Sequence, residues 1–201
     1  MNNHKNFFRN EMFKYNDLGH KNIMINNKFL FKNKNWFSYG RQALGYALDI
    51  LKISNGDCVL LPSFICNELI PIFLIRGIKY RFYNITENFD PNFKDIQRNI
   101  QNDTRAILSI NYFGFSRKNK ELKNLCDSNK IFLIEDNTHG ILSSLNGSEL
   151  GNYGDVCFAS LRKCLPVMKG AFLQINNKHI RSDNYTVEKI FSFNDLKVVK
   201  Y

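Results

Sequence analysis

The sequence predicts an α/β fold, a three-layer αβα sandwich built on a mainly parallel sheet. Three observations carry this. Short apolar runs recur through the chain, bounded by Gly, Pro, Asn or Asp. Segments with apolar residues at helical spacing separate most of them. Several runs are apolar at nearly every position, as strands covered on both faces are.

Residues 1–35 read as a polar, Asn- and Lys-rich arm with one short strand at Lys28–Phe31. Regular alternation starts at Trp36. Gly40 to Leu51 has helical apolar spacing with Gly at its start. Asn55-Gly56-Asp57 is a turn, and Cys58 to Leu61 is a strand ended by Pro62-Ser63. Asn67 to Ile75 reads as a helix stopped by Gly77, and Lys79 to Ile85 as an alternating strand. Phe93 to Ile100 is the next helix and Ala106 to Ile110 a buried strand. Asn119 to Cys126 is a helix and Ile131 to Ile134 another buried strand. Ile141 to Gly154 reads as a loop, with Asn146-Gly147 a tight turn. Val156 to Ala159 and Ala171 to Ile175 are the last clear strands, without a helix between them. One domain over 36–176 is expected. The pattern of 177–201 does not close a domain.

Composition narrows the function classes. With 44% hydrophobic residues, 18 Phe and 9 Tyr, the chain is globular. The net charge is +10. The basic residues are scattered rather than gathered into one stripe, so nucleic acid is not the expected partner. The five cysteines, Cys58, Cys66, Cys126, Cys157 and Cys164, are odd in number and form no CxxC. That predicts free thiols in a reducing cytoplasm. The four histidines are far apart, so no metal site is expected. The longest apolar stretch, Leu69 to Ile75, is too short to span a bilayer, and no membrane association is expected.

In parallel sheets, ligands bind beyond the carboxyl ends of the strands. Three segments stand out there. Ile134-Glu135-Asp136-Asn137-Thr138-His139 places two acids directly after an apolar run. They would pair with a cationic ligand atom, or cap a helix. Ser160-Leu161-Arg162-Lys163 places a serine and a lysine three apart after a strand. A partly desolvated lysine beside another cation can form a Schiff base with a carbonyl compound. The same SxxK spacing marks Ser/Lys acyl-transfer enzymes, in which Ser160 would be the nucleophile and Lys163 its base, but no SDN or KTG element accompanies it. Gly40-Arg41-Gln42, at a helix start, offers free backbone N–H groups as an anion seat. A phosphate seat, an acid and a lysine are what pyridoxal 5'-phosphate (PLP) needs. The phosphate anchors it, the carboxylate keeps its ring nitrogen protonated, and the lysine carries its aldehyde.

From Trp36 to Asn176 the order and spacing of several motifs resemble the fold-type-I PLP enzymes, and within them the DegT/StrS-type sugar aminotransferases. Gly40-Arg41-Gln42-Ala43-Leu44 resembles their phosphate-site helix start. Gly56-Asp57-Cys58-Val59-Leu60-Leu61-Pro62-Ser63-Phe64 resembles GDEVIVPSFT. Asn111-Tyr112-Phe113-Gly114 resembles the loop after the third strand, and Ile134-Glu135-Asp136 resembles IEDAAQ. Gly151-Asn152-Tyr153-Gly154-Asp155 and Ser160-Leu161-Arg162-Lys163 resemble the segment that carries the cofactor lysine.

The resemblance implies the PLP-dependent transferase large-domain type of fold and a set of roles. Lys163 would be the Schiff-base lysine and proton shuttle, and Asp136 the partner of the pyridinium. Ser160 and the Gly40–Gln42 amides would hold the phosphate, with Arg41 helping. His139 would contact the side of the ring that bears the hydroxyl. Cys66 falls where relatives stack an aromatic residue on the ring, so Phe64 or Tyr112 would have to move in. Lys169 is the competing lysine and is expected to face solvent. The implied activity is amino transfer, from glutamate, to a nucleotide-linked keto sugar in amino-sugar or surface-polysaccharide biosynthesis, by a homodimer. Relatives carry a second, smaller C-terminal domain. Residues 177–201 would begin the connection to it, and a truncated, non-catalytic PLP-binding or dimerising remnant is the alternative expectation.

Overall fold

The computed structural model describes residues 34–181, apart from 116, 117, 146 and 166. The strand expected at Lys28–Phe31, most of the arm and the segment after 181 lie outside the described residues. From Asn35 onward the described residues form one unit.

The elements are β1 (Lys34–Phe37), α1 (Gly40–Ile50), β2 (Cys58–Pro62), α2 (Ile70–Ile75), β3 (Lys79–Tyr83), α3 (Phe93–Asn99), β4 (Thr104–Ile110), α4 (Asn119–Ser128), β5 (Phe132–Asp136), β6 (Ser144–Leu145), β7 (Ser148–Glu149), β8 (Val156–Ser160) and β9 (Ala171–Ile175). Seven strands form one sheet in the order β1-β9-β8-β5-β4-β2-β3. The pairs β2/β3, β2/β4, β4/β5 and β5/β8 are parallel, while β8/β9 is antiparallel. The antiparallel pair follows from chain length: residues 161–170 contain no helix long enough to carry a parallel crossover.

Two apolar clusters show the layering. Val59, Leu61, Ala106, Leu108, Ile134, Val156 and Phe158 pack with α1 and α2 on one face. Leu60, Ile107 and Leu133 pack with Ile96 of α3 and Leu122 and Cys126 of α4 on the other. Neighbouring residues on one strand thus belong to different cores, as the two-residue period of a strand requires. This is the αβα sandwich with a mainly parallel sheet that the sequence predicts.

Four local differences have physical causes. The expected helix at 67–75 is a 3₁₀ turn (Asn67–Leu69) followed by α2, with Pro71 in the first turn of α2, where its missing N–H costs nothing. At the other end of α2, Gly77 has φ +65°, and a Cβ there would lie 2.5 Å from Asn55 Oδ1. β1 is a strand that polar Lys34 and Asn35 hide from an apolar-run reading. The expected loop at 141–154 contains the short antiparallel hairpin β6/β7. Most consequential, Glu135 and Asp136 belong to β5 itself, paired with Ser109 and Ile110 of β4, rather than following a strand that stops at Ile134.

The central strands carry the stability. Leu108 on β4 is wholly buried, whereas Phe82 on edge strand β3 is 47% exposed. Leu108→Ala is expected to lower unfolding free energy by about 2–5 kcal/mol, and Phe82→Ala to change it by only about 0.5 kcal/mol. Urea denaturation of the two variants beside the parent checks this.

Candidate functional site

The carboxyl ends of β2, β4, β5 and β8 point the same way, and the loops beyond them meet. Between β2 and β4 the chain reverses its direction of travel across the sheet, because β2 leads outward to β3 while β4 leads on to β5. Such a switch opens a crevice at the strand ends. Here Tyr112, after β4, bridges it. Its hydroxyl donates to the Phe64 carbonyl after β2, and its ring stacks on that of Phe64 at 5.7 Å.

The two acids at the end of β5 part to opposite faces. Glu135 faces the α4 side and is fully buried. One oxygen accepts from the Tyr153 N–H at 2.8 Å and from the Gly154 N–H. The other accepts from Asn119 Nδ2, and from Asn111 Nδ2 at 3.3 Å. Burial pushes its carboxyl up, and these donors pull it back. Asn111 and Asn119 also bond each other at 2.8 Å, and Ser109 donates to Asn119 at 3.2 Å. Glu135 therefore ties together the end of β4, the start of α4 and the entry to β8. It is a structural acid with its accepting capacity filled.

Asp136 lies on the α1 side and is only 8% exposed. Its Oδ1 accepts from the Thr138 N–H at 2.9 Å. Burial raises its pKa, against the hydrogen bonds of Thr138 and the charges of Lys163 and His139. Thr138 also accepts from the Ser160 N–H at 3.2 Å and, through its carbonyl, from Cys164 Sγ at 3.1 Å. It thereby joins the Asp136 loop to the end of β8 and to the turn Leu161–Lys163 that carries Lys163.

The start of α1 closes the group. A Cβ on Gly40 would lie 3.5 Å from Ser160 Cβ, so the helix start rests directly on the serine at the end of β8. The segment is held from the other side too: Ser38 accepts from the Gly170 N–H at 2.9 Å, and Leu161 donates to the Gly170 carbonyl at 2.8 Å. The Gln42 backbone N–H is not free for a ligand, since it donates to the Tyr39 carbonyl at 3.0 Å, while its side-chain Oε1 accepts from the Tyr39 N–H at 3.0 Å. The Gly40 and Arg41 amides have no partner among the described residues. Arg41 sits over the Tyr39 ring at 4.5 Å and pairs loosely with exposed Glu68 at 3.9 Å.

The structure thus gathers Gly40, Arg41, Asp136, His139, Ser160 and Lys163 at one end of the sheet. Cys66 stands apart from them in bonding. It is exposed, begins the 3₁₀ turn at Asn67–Leu69, and its thiol makes no hydrogen bond among the described residues. The aromatic group that feels Asp136 is Tyr112, whose phenol is pushed up by burial and by that carboxylate. Lys169 lies in the loop before Gly170. Sequence reading gave Thr138, Asn111 and Asn119 no role; no spacing signal marks the bonds they make to Ser160 and Glu135, which lie on other strands.

The donor set fits PLP. The Gly40 and Arg41 amides and the Ser160 hydroxyl are donors without a partner among the described residues, as a phosphate seat requires. Asp136 is a buried carboxylate whose ionised form needs a cation. Lys163 makes no ion pair within hydrogen-bonding distance among the described residues, so its amine is available.

Comparison with known proteins follows the same lines. Residues 36–180 match the DegT/DnrJ/EryC1/StrS aminotransferase family. A GDP-perosamine synthase from Vibrio cholerae is 30% identical over 126 residues, covering 62% of this chain and 34% of its own length. The chain therefore spans about a third of that relative. Among solved structures, the aminotransferase TlmJ from Streptoalloteichus hindustanus superposes with a TM-score of 0.66 at 21% identity, over 71% of this chain and 40% of that one. A GDP-4-keto-6-deoxymannose-3-dehydratase with a trapped PLP-glutamate geminal diamine gives 0.67 at 19% identity, over 77% of this chain and 42% of that one. These two likenesses show the fold. Among the described residues, no helix is long and apolar enough to cross a membrane.

The burial of Asp136 has a thermodynamic consequence. Its folded pKa is raised above the ordinary aspartate value of 3.8, so its ionisation opposes folding as pH rises. Asp136→Asn is expected to raise the Tm of the ligand-free protein at neutral pH, with the gain vanishing below pH 3.8. Thermal unfolding of both proteins across that pH range measures it.

Proposed function

The chain belongs to the DegT/DnrJ/EryC1/StrS aminotransferase family, and on that footing we propose that it forms the cofactor-binding part of a PLP-dependent aminotransferase acting on a nucleotide-linked keto sugar. One observation carries the reading. A helix-start amide pair, a serine hydroxyl, a buried carboxylate and an available lysine converge where four parallel strands end.

The roles follow from the chemistry of each group. When bound, PLP supplies an electron sink for the carbon that bears the amino group. The Gly40 and Arg41 amides and the Ser160 hydroxyl bind the phosphate, aided by the positive end of the α1 dipole. Arg41 adds a full charge nearby. Gln42 takes part through the helix turn that its Oε1 stabilises, since its own N–H is already bonded to Tyr39. Asp136 holds a proton on the ring nitrogen, and that cation in turn relieves the cost of burying its charge. Thr138 orients Asp136 and fixes its distance from the Lys163 turn. Lys163 would hold the cofactor covalently through its aldehyde, and its amine is the base that would move the proton at the reacting carbon. His139 is placed to act on the hydroxyl side of the ring. Tyr112, backed by Phe64, supplies the aromatic surface that Cys66 lacks.

The amino donor we assign is glutamate, which the trapped PLP-glutamate adduct of the dehydratase supports. The acceptor class rests on the perosamine synthase. The protein is proposed to work as a homodimer in the cytoplasm; the described cysteines are all free thiols, in keeping with a reducing compartment.

The test is spectroscopic. Purified protein mixed with PLP should develop an absorbance band above about 400 nm, the mark of lysine-bound cofactor. Borohydride should then fix the label on the peptide containing Lys163. Lys163→Ala should show neither band nor label. A parent protein that stays colourless, or a variant that colours equally, would overturn the proposal.

A further inference from the structure

The turn that carries Lys163 is short. Leu161–Lys163 is a single 3₁₀ turn with Ser160 and Cys164 as its two caps. Its own bonds run from the Cys164 N–H to the Leu161 carbonyl at 3.0 Å and from the Leu165 N–H to the same carbonyl at 2.8 Å. One such turn has poor hydrogen-bond geometry and depends on its surroundings to keep its shape. Its start is well anchored. Ser160 ends β8, its N–H donates to Thr138 Oγ1 at 3.2 Å, and the Leu161 N–H donates to the Gly170 carbonyl at 2.8 Å. Its far end has one anchor. Among the described residues, a single hydrogen bond ties residues 162–165 to a segment outside 161–170: Cys164 Sγ donates to the Thr138 carbonyl at 3.1 Å.

This thiol differs from the thiols of Cys58 and Cys157. Those two are buried, and each meets the carbonyl of the next residue, at 3.8 and 3.9 Å. A contact with an adjacent residue joins no separate segments. Cys164 is exposed, so burial does not hold its thiol where it is. Its bond is shorter and spans 26 residues.

The acceptor matters. The Thr138 N–H donates to Asp136 Oδ1 at 2.9 Å, and the Thr138 hydroxyl bonds the same carboxylate. Both caps of the Lys163 turn are therefore fastened to the residue that grips Asp136. A lysine that takes the aldehyde of a ring and a carboxylate that takes its nitrogen must keep a set separation, and a small misplacement of a reacting group slows its reaction. We propose that Cys164 is a positioning residue: its S–H holds the far cap of the turn on the Thr138 carbonyl and so sets the reach of the Lys163 amine into the Asp136 site. The chemistry rests on the PLP reading; the pin rests on the hydrogen bonds. Without the pin the amine is still present but less often in place.

Parent, Cys164→Ala and Cys164→Ser are compared. Carbon-13 NMR follows the Asp136 carboxyl through a pH titration of the ligand-free proteins. Lys163 and His139 are the charges that favour its ionised form, and Tyr112 also faces it. Moving the Lys163 cation away should raise the Asp136 pKa in Cys164→Ala. Stopped-flow absorbance then follows added PLP. The band above about 400 nm should form about three- to tenfold more slowly in Cys164→Ala, the range that one hydrogen bond covers. Cys164→Ser keeps a donor for the same carbonyl and should return both readings toward the parent's. If Cys164→Ala fails to fold, methylthiolation of folded Cys66→Ser protein removes the same S–H, because Cys164 is then the exposed cysteine among the described residues. The expectations are unchanged. An Asp136 titration and a colour rate both equal to the parent's overturn the positioning role, whether or not the urea midpoint falls. So does a Cys164→Ser protein that matches Cys164→Ala. A parent that never colours overturns the PLP reading alone, and the Asp136 titration still decides the pin.

Discussion

The end of β5 is the constraint on which the rest of the site depends. A strand sends successive side chains to opposite faces, so adjacent acids there cannot share a task. Glu135 turns toward α4, where four hydrogen bonds fill it. Asp136 turns toward α1 and keeps acceptor capacity for something else. Register fixes which is which. Pairing of Asp136 with Phe158 on β8 sets the carboxylate beside the strand that ends in Ser160 and leads to Lys163. A slip of one residue would exchange the two acids and aim Asp136 at α4.

Two kinds of stored cost sit around that strand end. Asp136 is buried with its pKa raised, a price in folding stability that a bound cation removes. Phe89 and Phe113 hold backbone angles that cost roughly 1–3 kcal/mol each. By contrast, Glu135, Asn111, Asn119 and Ser109 form a satisfied network, and among the described residues no buried side-chain polar atom lacks a partner. The satisfied network lies beneath the site and the unsatisfied groups lie at its surface. A rigid support with unfilled donors above it is the arrangement that a preorganised ligand site needs.

The fold and the main catalytic candidates were legible because local rules generate them. Apolar runs such as Cys58–Leu61 and Ala106–Ile110 are buried on both faces, so they read as parallel strands. Gly40 opens a helix, and Lys163 follows a strand. Legibility failed where a partner distant in sequence makes the difference. Thr138 reaches the end of β8 through Ser160, 22 residues away, and Asn119 reaches the end of β5 through Glu135, 16 away. Even nearby, the Gln42 N–H that reads as part of the anion seat donates instead to the Tyr39 carbonyl. β1 was hidden because its neighbours in the sheet, not its own residues, make it a strand.

By itself the sequence determined the alternation of the buried central strands with helices, the family and the candidate groups for a cofactor, since each follows from residue type, spacing and the preferences of nearby backbone. Tertiary structure decided which of Glu135 and Asp136 is free, that Tyr112 rather than Cys66 brings an aromatic group to Asp136, and that both caps of the Lys163 turn bond to Thr138. The physical reason is the same in each case. Burial and partner satisfaction are properties of segments that are separate in sequence and brought together by the sheet, and no local pattern carries them.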